Sequence, residues 1–137
     1  MFLDTSITIE IFRNDKNSKK FQDIYTYIKD EPIFISIIQI GELSDWCLKN
    51  HIDPEKRINK LKQILNVIPL NEKICYDAAH IKYTIRKKGV TKFGLPDGIV
   101  LASARSINQR LLTTDNDFRT INDAVVVRYK KEKNRRK

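Results

Sequence analysis

The chain opens with the stretch MFLDTS (residues 1–6), in which apolar residues run directly into an acid and two hydroxyls. We interpret this stretch as a buried strand that carries Asp4 near its carboxyl end. A charge at the end of a buried strand loses its hydration, which is costly unless a cation or a hydrogen-bond donor lies opposite. In open α/β sheets, ligands bind in the crevice beyond the carboxyl ends of the strands. Asp4 therefore predicts a functional crevice at this edge of the sheet.

The length and composition predict a single globular domain. The chain has 137 residues, of which 41% are hydrophobic, with only four Gly and four Pro, so it can form one hydrophobic core and is not of the disordered type. The longest apolar run, Ile33–Ile38, is too short to span a bilayer, and the N-terminus has no signal-peptide pattern. With only Cys47 and Cys75, we expect a reduced, cytoplasmic protein without membrane segments.

The positive charge is concentrated at the C-terminus. The chain carries a net charge of +9, and residues 128–137 contain seven Lys or Arg and one Glu, which places +6 on this tail and +3 on the body. We therefore divide the chain into a body, residues 1–127, and a basic tail, residues 128–137. The tail is typical of an arm that binds nucleic acid or an acidic partner, and equally of a solvated terminus that aids solubility.

Strand-like and helix-like segments alternate along the body. Five segments have the composition of strands, and they occupy residues 1–6, 33–36, 67–70, 111–114 and 125–127. Ser18, Asp53 and Asn71 are positioned to cap helices, and the helix after Asp53 is expected to bury Ile58, Leu61, Ile64 and Leu65. This alternation predicts an α/β fold with a mostly parallel, five-stranded sheet that is covered by helices on both faces.

Four acids are placed so that they can meet at one edge of this sheet. Asp4 and Asp115 each end a predicted strand, Asp97 lies in the first turn of a helix, and Glu42 lies on a helix that begins after another strand. Two carboxylates about 4 Å apart repel each other by about 4 kcal/mol at an effective dielectric constant near 20. Protonation, basic partners or a divalent cation would relieve this repulsion. Taken singly, each acid could also be a helix cap, a turn residue or a surface ion-pair partner.

A cluster of oxygen ligands without histidine favours Mg²⁺ or Mn²⁺ over Zn²⁺. Such a site is suited to metal-assisted hydrolysis of phosphodiesters, because the metal lowers the pKa of the attacking water and stabilises the leaving oxygen. A zinc site at Cys47 and His51 or at Cys75 and His80 is disfavoured by the ligand spacing. The chain also lacks the glycine-rich loops of nucleotide-binding proteins.

The motifs that carry these acids resemble those of a known family. Leu3-Asp4-Thr5-Ser6, Gly41-Glu42-Leu43, Pro96-Asp97 before an Ala-rich helix, and the segment LTTDNDF (residues 112–118) occur in the order and spacing of the PIN domain. The resemblance covers about residues 1–127 and is strongest to the small PIN nucleases that include the VapC toxins of toxin–antitoxin pairs. It implies a three-layer α/β/α sandwich with a five-stranded parallel sheet. It also implies Mg²⁺- or Mn²⁺-dependent cleavage of RNA.

The resemblance assigns roles to particular residues. Asp4, Glu42, Asp97 and Asp115 match the acidic positions of the family, so that Asp4, Asp97 and Asp115 would hold the metal while Glu42 completes the cluster or positions the attacking water. A further group matches accessory positions: Asp117, a more variable acid, and Thr113 and Ser6, hydroxyls that orient the first acid. Gly98 departs from the pattern, because a helix-forming residue is more usual there, and costs about 1 kcal/mol in helix propensity.

Four cations precede Asp97 and could contact RNA phosphates; they are Arg86, Lys87, Lys88 and Lys92. The alternative is that they cap the end of a helix, where positive charge is favourable. We expect a metal-dependent endoribonuclease that acts as the toxin of a type II toxin–antitoxin pair. Its partners would be an RNA substrate, a cognate antitoxin and a second copy of the chain in a homodimer. The alternative function is a non-catalytic RNA- or ribosome-binding module with the same fold.

Overall fold

The computed structural model of the chain describes residues 1–13 and 16–129. The predicted basic tail lies outside the described residues from position 130 onward. The elements follow in the order β1 (Phe2–Leu3), α1 (Thr5–Phe12), α2 (Lys19–Ile28), β2 (Phe34–Ser36), α3 (Ile37–Lys49), α4 (Pro54–Leu61), β3 (Asn66–Ile68), α5 (Glu72–Lys87), α6 (Leu95–Ser106), β4 (Leu111–Thr113), a 3₁₀ turn (Asn116–Phe118) and β5 (Ala124–Val126).

The five strands form one sheet in the order β3-β2-β1-β4-β5. All four neighbouring pairs are parallel, with Phe2 opposite Phe34 and Leu3 opposite Leu112 around the central strand. The predicted five-stranded parallel sheet is confirmed. The chain order reverses at β1, which lies between β2 and β4, and such a reversal is where a ligand crevice forms in doubly wound sheets.

The strands alternate their side chains between two apolar layers. Leu3, Ile35 and Leu112 face one cluster, which α1, α2, α3 and α4 complete. Phe2 and Leu111 face the other cluster, to which α5 and α6 contribute. Because successive side chains of a strand point to opposite faces of the sheet, each strand contributes to both layers. This arrangement is the predicted α/β/α sandwich.

The helices begin where the sequence places polar capping residues. The side chains of Ser18, Asp53 and Asn71 accept hydrogen bonds from backbone amides in the first turns of α2, α4 and α5. Such caps satisfy donors that have no partner within the helix. After α5 ends at Lys87, Gly89 adopts a φ of 98°, which L-residues rarely adopt. The predicted caps and the glycine stop are therefore confirmed.

Two sequence-based expectations about local structure are wrong. The first strand does not continue to Ser6; it ends at Leu3, and Thr5 and Ser6 form the first turn of α1. The cause is Asp4, whose Oδ1 accepts a hydrogen bond of 2.9 Å from the Thr5 amide and starts the helix. Ile64 is not buried but 59% exposed, because α4 ends at Leu61 and the helical spacing does not extend to it.

Gly98 permits a close contact between α6 and α5. A Cβ atom at this position would lie 2.5 Å from the carbonyl oxygen of Ala78, a distance that non-bonded atoms do not tolerate. The residue therefore allows α6 to pack against the backbone of α5. The unusual glycine after Asp97 is explained by this packing rather than by the local preference of the helix.

The described part of the chain ends against the body. Tyr129 packs against the cluster that α1 to α4 form, and the Lys20 ammonium lies 5.3 Å from the centre of its ring. Among residues 1–13 and 16–129, no helix has both the length and the apolar character that crossing a bilayer requires.

Candidate active site

Asp4 lies between the end of β1 and the start of α1, at the carboxyl edge of the sheet. Its Oδ1 accepts from the Thr5 amide, and its Oδ2 accepts a hydrogen bond of 2.6 Å from Thr113 Oγ1. Thr113 Oγ1 also accepts a hydrogen bond of 3.0 Å from the Asp115 amide. The single proton of the Thr113 hydroxyl is therefore directed at Asp4. This network orients Asp4 from the neighbouring strand β4.

Asp97 and Asp115 each occupy a helix start at the same edge. Asp97 lies in the first turn of α6, where its Oδ2 accepts a hydrogen bond of 2.8 Å from the Gly94 amide. Asp115 precedes the 3₁₀ turn, and its Oδ1 accepts a hydrogen bond of 2.9 Å from the Asp117 amide. Both acids thus have the capping role that was weighed against a functional one. In each case the bond described engages one carboxylate oxygen, so capping does not exclude a second role for the other oxygen.

Glu42 extends from α3, the helix that follows β2 directly. Its side chain is hydrogen-bonded to that of Thr5. Thr5 Oγ1 in turn accepts a hydrogen bond of 3.3 Å from Nε2 of the fully buried Gln39. Gln39 Nε2 also donates to the Leu3 carbonyl at 2.8 Å, and its Oε1 accepts from the Ser36 amide at 2.7 Å. The amide of Gln39 therefore joins β1, β2 and α3 beneath Glu42.

The four acids share one electrostatic environment. Loss of hydration raises the pKa of Asp4, hydrogen bonds from Thr113 and Thr5 oppose that rise, and the charges of Asp97 and Asp115 add to it. The pKa of Glu42 is raised by loss of hydration first and then by Asp4 and Asp97. Like charges raise a carboxyl pKa only at short range. Asp4, Glu42, Asp97 and Asp115 therefore influence one another electrostatically at this edge of the sheet.

Asp117 belongs to the margin of this cluster. The pKa of Asp97 is raised chiefly by loss of hydration, while its hydrogen bond to the Gly94 amide opposes the rise and the charges of Asp115 and Asp117 add to it. Ser6 lies in the first turn of α1, two residues after Asp4. Its Oγ accepts a hydrogen bond of 3.3 Å from the Thr114 amide, so it fastens α1 to the end of β4.

The donor set of the cluster is composed of oxygen atoms, which is the chemistry that Mg²⁺ and Mn²⁺ prefer. In residues 1–13 and 16–129, no three acidic, histidine or cysteine side chains form a ready metal-binding group. Mg²⁺ commonly keeps several of its waters and takes only one or two protein carboxylates. A hydrated ion fits this arrangement, and its charge would offset both the loss of hydration and the mutual repulsion that raise the pKa values of Asp4, Glu42 and Asp97.

The four cationic candidates separate into two pairs. Lys88 and Lys92 line a pocket of about 380 Å³ whose wall includes Asp117. Arg86 and Lys87 instead line a different pocket, on the side of Tyr83 and Leu95. Arg86 Nε donates a hydrogen bond of 2.7 Å to the Phe93 carbonyl, and Lys87 Nζ lies 4.5 Å from the centre of the Tyr83 ring. Both members of the second pair therefore have structural contacts.

Sequence reasoning missed several residues of this region. Arg119 lines the same pocket as Lys88 and Lys92, together with Thr91 and Thr120. Its position two residues after Asp117 was the available signal. Gln39 was also missed, because a polar residue on a helix gives no sequence sign that it is buried.

The sequence of the chain matches the family model of the PIN domain over residues 1–124. The chain belongs to the PIN domain family. The matched range includes strands β1 to β4 and the four acids, and it ends at the first residue of β5. This family assignment confirms the resemblance that the four acidic motifs indicate.

Solved structures share the fold of this PIN domain at low sequence identity. A toxin–antitoxin complex from Klebsiella pneumoniae has a TM-score of 0.73 and 23% identity, with 93% of this chain and 97% of that chain covered. VapBC2 from Rickettsia felis, bound to a promoter DNA fragment, has a TM-score of 0.69 and 19% identity, covering 91% of this chain and 95% of its own. VapBC-1 from nontypeable Haemophilus influenzae has a TM-score of 0.66 and 24% identity, with 91% of this chain and 96% of that chain covered. No curated protein sequence matches the chain significantly.

Proposed function

We propose that this PIN domain is a Mg²⁺- or Mn²⁺-dependent endoribonuclease that acts in the cytoplasm as the toxin of a type II toxin–antitoxin pair. The main support is the acid cluster at the carboxyl edge of the sheet, in which loss of hydration chiefly, and the charges of neighbouring acids in addition, raise the pKa values of Asp4, Glu42 and Asp97. Such a cluster lowers the free energy of unfolding, and binding of a cation to its charge would offset this cost.

In this proposal the residues of the chain have separate tasks. Asp4, Asp97 and Asp115 hold the metal directly or through water, and Thr113 fixes the carboxylate of Asp4. Glu42 lies at the exposed side of the cluster, where it can accept a proton from the attacking water or position it. A bound divalent ion lowers the pKa of that water and neutralises charge on the phosphate. Hydrolysis would leave a 3′-hydroxyl and a 5′-phosphate.

The biological role is proposed from the structural neighbours, three of which are toxin–antitoxin complexes. We propose that a cognate antitoxin binds this chain and covers the acid cluster, for which a basic side chain is the complementary group. We also propose that two copies of the chain form a homodimer. Elution of the purified chain as a monomer at micromolar concentration, by size-exclusion chromatography with light scattering, would contradict the dimer.

The test of the enzymatic function is cleavage of a mixed, end-labelled RNA pool with Mn²⁺, with Mg²⁺ and with EDTA. The parent is compared with Asp4→Asn and Asp97→Asn. Asp45→Asn is the matched control, because Asp45 is an exposed acid on α3 that pairs with Lys49 at 2.9 Å. We expect metal-dependent cleavage by the parent and the control. Both site variants should lose more than about 100-fold in rate, since even residues that only support metal ligands contribute 10- to 100-fold.

Cleavage that persists in EDTA or in both site variants would contradict the proposal. Absence of cleavage together with RNA binding that EDTA does not change would favour the non-catalytic module with the same fold. Binding of a metal ion to the cluster can be measured separately from cleavage, through the melting temperature of the protein. Mn²⁺ should raise the melting temperature of the parent and of Asp45→Asn, but not that of Asp97→Asn.

A further inference from the structure

The pocket beside the acid cluster is formed by two segments that the fold brings together. One segment is the loop after α5, and the other is the 3₁₀ turn after β4. Its lining residues are Lys88, Gly89, Val90, Thr91, Lys92, Asn116, Asp117, Arg119 and Thr120, and its volume is about 380 Å³. The segments are far apart in sequence, so the pocket is a product of the tertiary structure.

The pocket has an excess of positive charge that the described chain does not neutralise. Lys88, Lys92 and Arg119 face one acid, Asp117. Within residues 1–13 and 16–129, none of these three cations is part of an ion pair. By contrast, the nearby Arg105 is held by Asp123 through hydrogen bonds of 2.7 and 2.9 Å. The three cations are therefore available to an anion from outside the chain.

The remaining polar groups of the pocket are also suited to phosphate. The hydroxyls of Thr91 and Thr120 and the amide of Asn116 can donate hydrogen bonds to phosphate oxygens. Gly89 has a φ of 98° at the start of the loop. This conformation turns the chain directly after α5, and so places Lys88 and Lys92 in the same pocket.

Asp117 connects this pocket to the acid cluster. It lines the pocket, its charge raises the pKa of Asp97, and its amide donates to Asp115 at 2.9 Å. A second pocket of about 370 Å³ shares Lys88 and Thr120 with the first and extends toward His80. The basic pocket therefore lies beside the acid cluster through Asp117, and the second pocket adjoins it on the other side.

We infer that the pocket of Lys88, Lys92 and Arg119 is a subsite for a backbone phosphate of the RNA strand, next to the phosphate that is cleaved. This inference rests on the proposed ribonuclease function and specifies how the substrate is held. The acid cluster repels the polyanion, and the subsite supplies the attraction that keeps the strand in place. Its contribution is to binding rather than to the chemical step.

The test measures the affinity for a single-stranded RNA of about 12 nucleotides, a length in the usual range for such sites. Binding is followed by fluorescence anisotropy in EDTA at several salt concentrations, so that cleavage does not interfere. The variants are Lys88→Gln, Lys92→Gln, Arg119→Gln and the triple combination. The control is Lys56→Gln, because Lys56 is an exposed cation on α4, at the opposite face of the sheet.

We expect each single variant to weaken binding about 3- to 10-fold and to reduce the salt slope by about 0.7, the value for one phosphate contact on a single strand. The control should bind as the parent does. The three cations are exposed, so the variants should keep the parent's melting temperature. In a cleavage assay the same variants should show a raised KM with kcat nearly unchanged.

A second set of RNAs carries one neutral methylphosphonate linkage each, moved stepwise along the strand. At one position along the strand, the neutral linkage should weaken binding by the parent. The same linkage should not weaken binding by the triple variant any further, because the cations that contact this phosphate are already absent. If the end of the strand is the ligand instead, removal of a 5′-terminal phosphate will weaken binding and no internal linkage will matter. That result would overturn the inference.

Failure of this inference can be separated from failure of the proposed function. Metal-dependent cleavage with unchanged binding by the triple variant would leave the nuclease and overturn the subsite. Lost binding in the triple variant without cleavage by the parent would support the phosphate subsite and overturn the nuclease. Parent binding that is undetectable at low salt would overturn the subsite.

Discussion

Thr113 Oγ1 donates a hydrogen bond of 2.6 Å to Asp4 Oδ2 and joins two residues that are 109 positions apart in the chain. The same oxygen accepts the Asp115 amide at 3.0 Å, so one hydroxyl is bonded to one acid and to the backbone of another. Thr113 is fully buried, and its place at the end of β4 is fixed by pairing with β1. The relative position of two proposed metal ligands therefore depends on this one hydroxyl.

We predict that Thr113→Val lowers metal affinity and cleavage about 10- to 100-fold, the usual cost of removing a group that orients a metal ligand. Valine has nearly the same shape but no proton to donate, so Asp4 Oδ2 loses its partner. Thr113→Ser keeps the hydroxyl and should retain most of the activity. Metal titration by calorimetry checks the affinity, and equal losses in the valine and serine variants would contradict the role of the hydroxyl.

The acid cluster should make the folded protein more stable at acidic pH than at neutral pH when no metal is present. The pKa values of Asp4, Glu42 and Asp97 are raised above their ordinary values, chiefly by loss of hydration. Between the ordinary and the raised pKa values, the folded state binds more protons than the unfolded state does. The free energy of unfolding then falls as pH rises through this window, and the loss is complete above the raised values.

Asp4→Asn should therefore raise the melting temperature at pH 7 in EDTA, while it abolishes cleavage. Asparagine is as good a helix cap as aspartate, so its oxygen can still accept from the Thr5 amide, while its NH2 group replaces Oδ2 and can donate to Thr113 Oγ1. Urea unfolding of the parent and the variant across pH 4 to 8 measures the effect. A variant that is less stable than the parent throughout this range would contradict the predicted repulsion.

Gly98 and Gly41 form a matched pair of helical glycines with opposite expected effects. Gly98→Ala should destabilise the protein by about 1–3 kcal/mol, because the new methyl group would collide with the Ala78 carbonyl. Gly41→Ala should stabilise it by about 0.5–1 kcal/mol, because nothing lies within 4 Å of the added Cβ and alanine favours the helix. Chemical denaturation of both variants checks this pair. Equal effects of the same sign would refute the packing account.

Gln39 is the buried polar group that joins three elements beneath the acid cluster. Gln39→Leu should destabilise the protein by about 2 kcal/mol, because the Leu3 carbonyl and the Ser36 amide each lose a partner in a buried place. Gln22→Leu, at an exposed position of α2, is the control and should change stability by less than about 0.5 kcal/mol. Thermal unfolding compares the two, and a similar effect of both would show that the Gln39 bonds contribute little.

Local patterns in the sequence predicted much of the fold correctly. Capping residues such as Ser18 and Asn71 form hydrogen bonds with amides only a few residues away. Their effect can therefore be predicted from the sequence alone. The prediction that the acids share one edge follows from the parallel sheet, because parallel strands place their carboxyl ends at the same edge. The role of Asp4 as a helix cap was missed, since an acid at a strand end and an acid at a helix start look alike when the two elements are adjacent.

The errors concern where local elements end, whereas the omissions concern contacts between distant segments. From the sequence, Gly98 only lowers the helix propensity of its segment. Its role becomes clear from the position of the Ala78 backbone, which leaves no room for a Cβ atom. The cations near residue 88 look equivalent in sequence, yet Arg86 bonds to Phe93 while Lys88 faces Arg119 across a pocket. These differences depend on the direction in which each side chain extends from the end of α5. They also depend on which residues from distant parts of the chain lie next to it.

The pairing of β1 with β4 has a consequence for the time at which activity can arise. Asp4 is synthesised 109 residues before Thr113, and Asp115 follows Thr113 after only one intervening residue. Because β4 holds the carboxylate of Asp4 through Thr113, a nascent or truncated chain that ends before β4 lacks an assembled site. Under the proposed ribonuclease function, the chain therefore cannot cleave RNA until β4 has been synthesised. A partner that binds it at release would meet the active form at the moment it first exists.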